Sequence, residues 1–281
     1  MRVAAVHIAC GVGVLFLVSG CSTAVPLPAK AIEMNRLGAA ALGAGDLATA
    51  EARLSLALEY SPKFTEPWVN LGLLELSRGN VKLARKRLEH ARSLNPDLPT
   101  PHHAIGLLEE RCERFKAAES AYRDALAVDP GFAPARSNLG RLLFAAHRFE
   151  EAREQFLRLT EIAPDALEGW LGLAESLLRL ERERDSDRVT DRARSRLGDR
   201  PELVILVARQ LLRRGAFAEA EATLAPLTAT TEPHQRATAW AWLGVARLGQ
   251  GHRADAVAAA AESLAADAGD PVARFVLAES R

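Results

Sequence analysis

The sequence has few cysteines, no excess of either charge and few long apolar runs. It has three cysteines, and 36 lysines and arginines balance 36 aspartates and glutamates. This balance offers no electrostatic attraction to nucleic acid or to an anionic lipid surface, so we expect neither as a charge-driven partner. Beyond residue 20, no stretch is long and apolar enough to span a bilayer.

Recognised catalytic and metal-binding motifs are also absent from residues 21–281. The sequence there has no GxSxG, HExxH, phosphate-binding loop or paired CxxC. His102 and His103 are the only adjacent histidines, and neighbouring residues on a helix point about 100° apart. No third ligand is close in sequence. We therefore expect no metal site, no cofactor and no catalytic residues.

The N-terminus is a charged start followed by an apolar segment. Met1 and Arg2 precede 16 mostly apolar or small residues, and Ser19 and Gly20 lead to Cys21. This arrangement predicts a secretory signal over residues 1–20. The stretch LVSGC at residues 17–21 resembles the bacterial lipobox.

That resemblance implies cleavage before Cys21, diacylglycerol on its sulfur and acylation of its new amino group. Several acyl chains would anchor the protein durably, whereas one chain gives marginal binding. The alternative is a cysteine within an uncleaved signal-anchor helix. By analogy with lipoproteins, Ser22 in place of aspartate favours the outer membrane, facing the periplasm. Residues 22–30 carry two prolines and no helical pattern, so we interpret residues 21–30 as the lipidated cysteine and a short tether.

A 34-residue period governs the rest of the chain. Pairs of an apolar residue and a small one recur at this step, at Leu37-Gly38, Leu71-Gly72, Ile105-Gly106, Leu139-Gly140, Leu173-Ala174 and Val207-Ala208. Pro62, Pro96, Pro130 and Pro164 keep the same step, as do Ala50, Ala84, Ala118 and Ala152. This period and these landmarks resemble the tetratricopeptide repeat (TPR). The resemblance implies an all-α solenoid, a right-handed superhelix of helix-turn-helix units.

We divide the chain into about seven such units and a cap. The units are residues 31–64, 65–98, 99–132, 133–166, 167–200, 201–236 and 237–270, and residues 271–281 form a C-terminal capping helix. One unit alone cannot bury its apolar face, so stacking must do so. Cys112 falls near a turn of the third unit, where we expect a small buried residue.

The fifth unit is degenerate. Residues 181–200 hold 13 charged residues, and only Val189, Ala193 and Leu197 form an apolar stripe. Two interpretations stay open for this segment. It is either a solvated second helix with ion pairs on its outer face, or a seam that is flexible or contacts a partner.

In TPR proteins the first helix of each unit lines a concave groove. The resemblance places a partner-binding groove at Asn70, Leu73, His103, Leu107, Asn138, Arg141, Phe144, Leu171 and Glu175, and the same positions continue at Ile205, Arg209 and Leu212. Asn70 and Asn138 share a position where the family often bonds a peptide backbone, and an amide can both donate and accept. The alternative is a tighter superhelix that buries these residues within the array.

A signal with a lipobox, a short tether and a TPR array is the layout of type IV pilus pilotins of the PilF/PilW/Tgl group. The segment ARSNLGRLLFAAHRFEEAREQF (135–156) resembles a stretch of those proteins, with Ser137, Asn138 and Leu139 replacing a usual Asn and Tyr pair. The resemblance implies a non-enzymatic scaffold that helps a secretin reach or multimerise in the outer membrane. A lipoprotein of the Tad/Flp pilus and a general cell-envelope assembly adaptor are the alternatives.

Overall fold

The computed structural model describes residues 26–230 and 232–280. The predicted signal, Cys21 and the first residues of the tether lie outside this part of the chain. The described residues form an all-α solenoid, as predicted, in which seven helix pairs are followed by a final helix. None of these helices is long and apolar enough to cross a membrane.

The first helices of the pairs, called A helices, are α1 (Ala29–Gly43), α3 (Thr65–Ser77), α5 (Pro99–Arg111), α7 (Ala133–Ala145), α9 (Leu167–Arg179), α11 (Pro201–Arg213) and α13 (Pro233–Gly249). The second helices, called B helices, are α2 (Leu47–Tyr60), α4 (Val81–Leu94), α6 (Phe115–Val128), α8 (Phe149–Ile162), α10 (Glu183–Leu197), α12 (Phe217–Leu224) and α14 (Arg253–Ala266). A short 3-10 helix over Ala225–Ala229 extends α12, and α15 (Pro271–Glu279) ends the array.

The turn between each A helix and its B helix uses one backbone motif. A residue with positive φ follows the A helix, and the next residue's N–H donates to a carbonyl five residues back, as from Asn80 to Glu75 at 2.8 Å. Glycine meets the left-handed requirement at four of the seven turns, in Gly45, Gly79, Gly215 and Gly251. Glu113, His147 and Glu181 occupy it at the other three, with φ of 58°, 59° and 58°.

A second repeated bond ties A helices to the turns that precede them. The side chain at the fourth helix position donates to the carbonyl of the landmark proline six residues earlier. Trp68 Nε1 reaches Pro62 O at 3.0 Å, and Trp170 Nε1 reaches Pro164 O at 2.8 Å. His102 Nε2 and an Arg136 N–H make the same contact in the units between them. The repeat period therefore fixes helix entry as well as packing.

The stack curves with its A helices on the inner side. Successive A helices pack against one another, as α1 does with α3, α3 with α5, α7 with α9 and α11 with α13. No successive B helices pack as closely within the described residues. Because one edge of the stack is drawn together and the other is not, the A helices line the concave face.

Close approach within a pair relies on a small residue opposite a large one. A Cβ added at Gly72 would lie 2.5 Å from Leu88 Cδ2, and Leu88 is fully buried. The fifth pair departs from this arrangement. Its A helix has Ala174 at the glycine position, and its B helix has the smaller Thr190 at the position of the large residue. Both remain buried, so the smaller side chain on α10 leaves room for the alanine.

The fifth pair has a polar core that the sequence did not reveal. The buried residues of α10 are Ser186, Thr190 and Ala193, whereas Val189 and Leu197 of the expected stripe are only half-buried. Gln210 Nε2, from α11, donates to Ser186 Oγ at 2.9 Å and to Thr190 Oγ1 at 3.0 Å. The outer face of α10 carries ion pairs, such as Arg188 with Asp185 at 3.3 Å. The helix is therefore solvated on one side and hydrogen-bonded on the other.

Cys112 corrects another expectation. It is half-buried at the C-terminal end of α5. Its backbone N–H donates to the carbonyls of Leu108 and Glu109, both at 3.1 Å. The residue therefore caps a helix at the edge of the core, and the expectation of a buried position was wrong.

Candidate partner-binding groove

The nine residues predicted to line the groove all lie on four consecutive A helices. Helix α3 holds Asn70 and Leu73, α5 holds His103 and Leu107, α7 holds Asn138, Arg141 and Phe144, and α9 holds Leu171 and Glu175. Arg141 is exposed and the other eight are half-buried. The superhelix therefore leaves every one of them in contact with solvent.

Polar groove residues are joined in pairs across neighbouring A helices. Asn70 Nδ2 donates to Asn35 Oδ1 at 2.9 Å, which links α3 to α1. Asn138 Nδ2 and His103 Nε2 are 2.8 Å apart, which links α7 to α5. Each bond occupies one N–H of the asparagine, and its carbonyl oxygen and second N–H make no other hydrogen bond within the described residues. The two amides are thus partly used within the array. They are only partly available to the peptide backbone that the sequence analysis expected them to bond.

His103 is held in its neutral form. Burial lowers the pKa of His103 to about 4, because the charged imidazolium loses hydration. A neutral imidazole presents one bare nitrogen, which suits Nε2 as the acceptor of the Asn138 N–H. The His103 ring also lies against Tyr122 and Phe132, with centroid distances of 5.8 and 5.5 Å. This setting makes His103 a fixed acceptor in the groove wall.

Two ion pairs continue the same pattern of cross-links. Arg141 contacts Glu110 at 2.6 Å, and the Tyr122 hydroxyl donates to the same carboxylate at 2.8 Å. Burial, followed by the bond to Glu110, raises the pKa of Tyr122, so the hydroxyl stays protonated. Further along the array, Arg209 of α11 pairs with Glu175 of α9. These bonds hold adjacent A helices in register at the floor of the groove.

Apolar side chains lie between the polar cross-links. Leu73, Leu107 and Leu171 each pack one side against a buried cluster and keep the other side accessible. Phe144 stacks edge-on against Phe149, with ring centroids 5.3 Å apart. The concave face therefore alternates apolar surface with hydrogen-bonding groups, as a surface suited to an extended chain does.

A cavity of about 320 Å³ opens at the far end of this face, between α9, α11 and α13. Its lining is Glu175, Leu178, Arg179, Arg209, Leu212, Arg213 and Trp242. The sequence analysis placed Glu175, Arg209 and Leu212 on the groove but missed Arg179, Arg213 and Trp242. The sequence does contain a signal for the two arginines. Arg179 and Arg213 are one 34-residue step apart, and each lies one helical turn after a predicted groove residue, Glu175 or Arg209.

The adjacent histidines face different neighbours. His102 Nε2 contacts Pro96 O at 3.0 Å, and His103 Nε2 contacts Asn138. Over residues 26–230 and 232–280 there is no group of three or more His, Cys, Asp or Glu side chains placed to hold a metal ion.

Comparison with known families agrees with the repeat period. The tetratricopeptide-repeat family model matches residues 41–106 and 112–177, which run from the end of α1 into α9 with a gap at the end of α5. The chain is a TPR protein. No curated protein sequence matches it.

Solved TPR structures share the fold at low sequence identity. A TPR protein from Parabacteroides merdae is 19% identical, with a TM-score of 0.63 over 89% of this chain and 98% of its own. PilF of Pseudomonas aeruginosa is 20% identical, with a TM-score of 0.61 over 76% of this chain and 97% of its own. YrrB, described as a TPR protein with an unusual peptide-binding site, is 19% identical with a TM-score of 0.50 over 68% of this chain and 97% of its own.

TPR arrays typically act as non-catalytic scaffolds for protein-protein interaction. The geometry of this TPR groove agrees with that use. It offers apolar side chains and spare amide groups along one accessible face, and His103, Arg141 and Glu175 are committed to bonds between helices. Protein binding is therefore the chemistry that this surface supports.

Proposed function

We propose that this TPR protein is a membrane-anchored scaffold whose concave groove holds an extended segment of a protein partner at the cell envelope. One observation carries the proposal. The accessible apolar residues Leu73, Leu107, Phe144 and Leu171 follow one another along the A helices, flanked by the partly used amides of Asn70 and Asn138. An extended chain could bury its side chains on the first set and bond its backbone to the second.

A lipid on Cys21 would give this scaffold its location. The lipobox-like sequence supports this part of the proposal. An anchor that holds scaffold and partner at one membrane raises their effective concentration without any new contact. We accordingly propose attachment to the outer membrane, with the array facing the periplasm.

The partner that we propose is a secretin subunit of a type IV pilus. The order of signal, tether and array, together with residues 135–156, supports a pilotin-like role. The fold that the chain shares with PilF of Pseudomonas aeruginosa is a further reason to test this role. Groove binding would then bring secretin subunits together at the membrane where they multimerise.

The proposal is tested by the amount of heat-resistant secretin multimer in host membranes. Cells lacking the chain are compared with cells carrying wild type, Cys21→Ala, the pair Leu107→Ala and Phe144→Ala, or Leu157→Ala. Leu157 is a control because it lies on a B helix with 36% of its surface exposed. We expect multimers to vanish without the chain, to fall with Cys21→Ala and with the groove pair, and to persist with Leu157→Ala. Unchanged multimers in all strains would refute the secretin proposal and favour another envelope assembly role.

A further inference from the structure

The cavity between α9, α11 and α13 carries more positive charge than its surroundings neutralise. Arg209 pairs with Glu175 and lies over the Trp242 ring, 5.1 Å from its centroid. Arg179 contacts no carboxylate in the part of the chain that the structure describes, and its guanidinium lies 6.0 Å from the Phe144 centroid. Arg213 reaches only Glu183, at 3.2 Å, and both of these side chains are more than a third exposed.

The rest of the groove differs in this respect. Arg141 is matched by Glu110, and the Asn70 and Asn138 pairs carry no charge because His103 is neutral. At its predicted positions the groove is thus electrostatically balanced over α3 to α7, whereas it is positive at α9 and α11. A partner segment that matches it must carry its negative charge at the α9 to α13 end.

The shape of the cavity limits what enters it. Its volume of about 320 Å³ is at the small end of ligand pockets, which span about 300–1,000 Å³. Leu178, Leu212 and Trp242 give it apolar walls, while the arginines lie around them. A side chain with a short apolar stem and a terminal anion fits both properties.

We propose that this cavity takes an aspartate or glutamate side chain of the partner segment. The carboxylate accepts hydrogen bonds from Arg179 and Arg213, and its stem rests on Leu212 and Trp242. Arginine suits this task because its planar donors match a carboxylate. The inference deepens the proposed groove function and rests on it. It also orients the partner, with the acidic residue at α9 to α13 and apolar residues towards Leu107.

The test starts from a random dodecapeptide library selected against the full chain in detergent micelles. The enriched peptides are labelled, and their dissociation constants are measured by fluorescence anisotropy. They are measured against wild type, against Arg179→Gln with Arg213→Gln, and against a control pair, Arg158→Gln with Arg188→Gln. The control pair changes net charge equally, and its side chains are 60% and 77% exposed on B helices. Circular dichroism checks that each variant is folded.

We expect the enriched peptides to share an acidic residue. The cavity pair should weaken their binding about tenfold or more, and the control pair by less than about twofold. Replacing the acidic residue by its amide should cause the same loss in wild type and little further loss in the cavity pair. Raising salt from about 0.01 to about 1 M should weaken wild-type binding more than binding to the cavity pair.

Any of three results would overturn the inference. Enriched peptides without acidic residues, or equal binding to wild type and the cavity pair, would exclude a carboxylate subsite. If such peptides still lost binding with Leu107→Ala and Phe144→Ala, the groove function would stand alone. A selection that enriches no peptide would overturn both.

Discussion

Glycine in place of Glu113 should stabilise the third repeat. Glu113 occupies the left-handed turn position with φ of 58° and is exposed. The left-handed conformation costs a residue with a Cβ about 1–2 kcal/mol. Glycine avoids that cost but loses about 0.5–1 kcal/mol more backbone entropy on folding. The difference predicts a net gain of about 0.5–1 kcal/mol.

The reverse exchange at an equivalent turn is the matched control. Gly79 has φ of 81°, and a Cβ added there would meet nothing within 4 Å. No steric clash therefore contributes to Gly79→Ala, and only the backbone conformation opposes it. By the same arithmetic we expect Gly79→Ala to destabilise the second repeat by about 0.5–1 kcal/mol.

Hydrogen exchange followed by mass spectrometry suits this comparison, because repeat arrays open locally and not as one unit. Amides of α5 and α6 should exchange about two- to fivefold more slowly in Glu113→Gly, and those of α3 and α4 about two- to fivefold faster in Gly79→Ala. Faster exchange in Glu113→Gly, or no change in Gly79→Ala, would show that these turns are not left-handed caps and would refute the reasoning.

Three further predictions concern the core and the groove, and urea unfolding measures each of them. Gly72→Ala should lose stability, because overpacking against Leu88 costs about 1–3 kcal/mol and alanine's helix propensity returns only about 1. Gly43→Ala, where an added Cβ meets nothing within 4 Å, should gain stability, and equal results for the two would contradict the close approach. Gln210→Ala should cost about 1–3 kcal/mol through its two lost hydrogen bonds to α10, and a neutral result would mean that the polar core is solvated. Burial lowers the pKa of His103 to about 4, so the folded chain binds fewer protons than the unfolded chain between pH 6.5 and about 4. The free energy of unfolding should therefore fall by about 2–3 kcal/mol as the pH drops through that window. His103→Gln should remove that part of the pH dependence. An unchanged profile of stability against pH would show that another group causes it.

The solenoid could be predicted from sequence because its landmarks are backbone requirements repeated at one step. A small residue at Gly72 and its equivalents and a proline before α3, α5, α7 and α9 report helix packing and helix entry directly. Glu113, His147 and Glu181 were less visible as turn residues. They adopt a conformation that favours glycine only because the cap hydrogen bonds on both sides hold them there.

The fifth repeat shows why side-chain type alone misleads. Ser186 and Thr190 have the polarity of a solvated surface, and a search for apolar residues passes over them. They are buried because Gln210, from the next A helix, supplies their hydrogen-bond partner. No pattern within one helix shows that compensation, since it depends on two helices that meet only in the fold.

The groove was predicted in part for a related reason. The repeat position of a residue indicates which face it occupies, so Leu107 and Phe144 could be assigned to the concave side. Repeat position does not indicate what a polar side chain bonds to. Asn138 meets His103 of the preceding A helix, 35 residues earlier and one off the repeat step, so its bond emerged only from the packed array.

Site-specific photo-crosslinking in host cells tests the central claim most directly. A benzoylphenylalanine is placed at Leu107 or Leu171 in the groove, or at Leu157 on the B-helix side. We predict that both groove positions form one discrete protein adduct and that Leu157 forms none. An adduct from Leu157 alone, or no adduct from either groove position, would contradict the account of the concave face as the partner-binding surface.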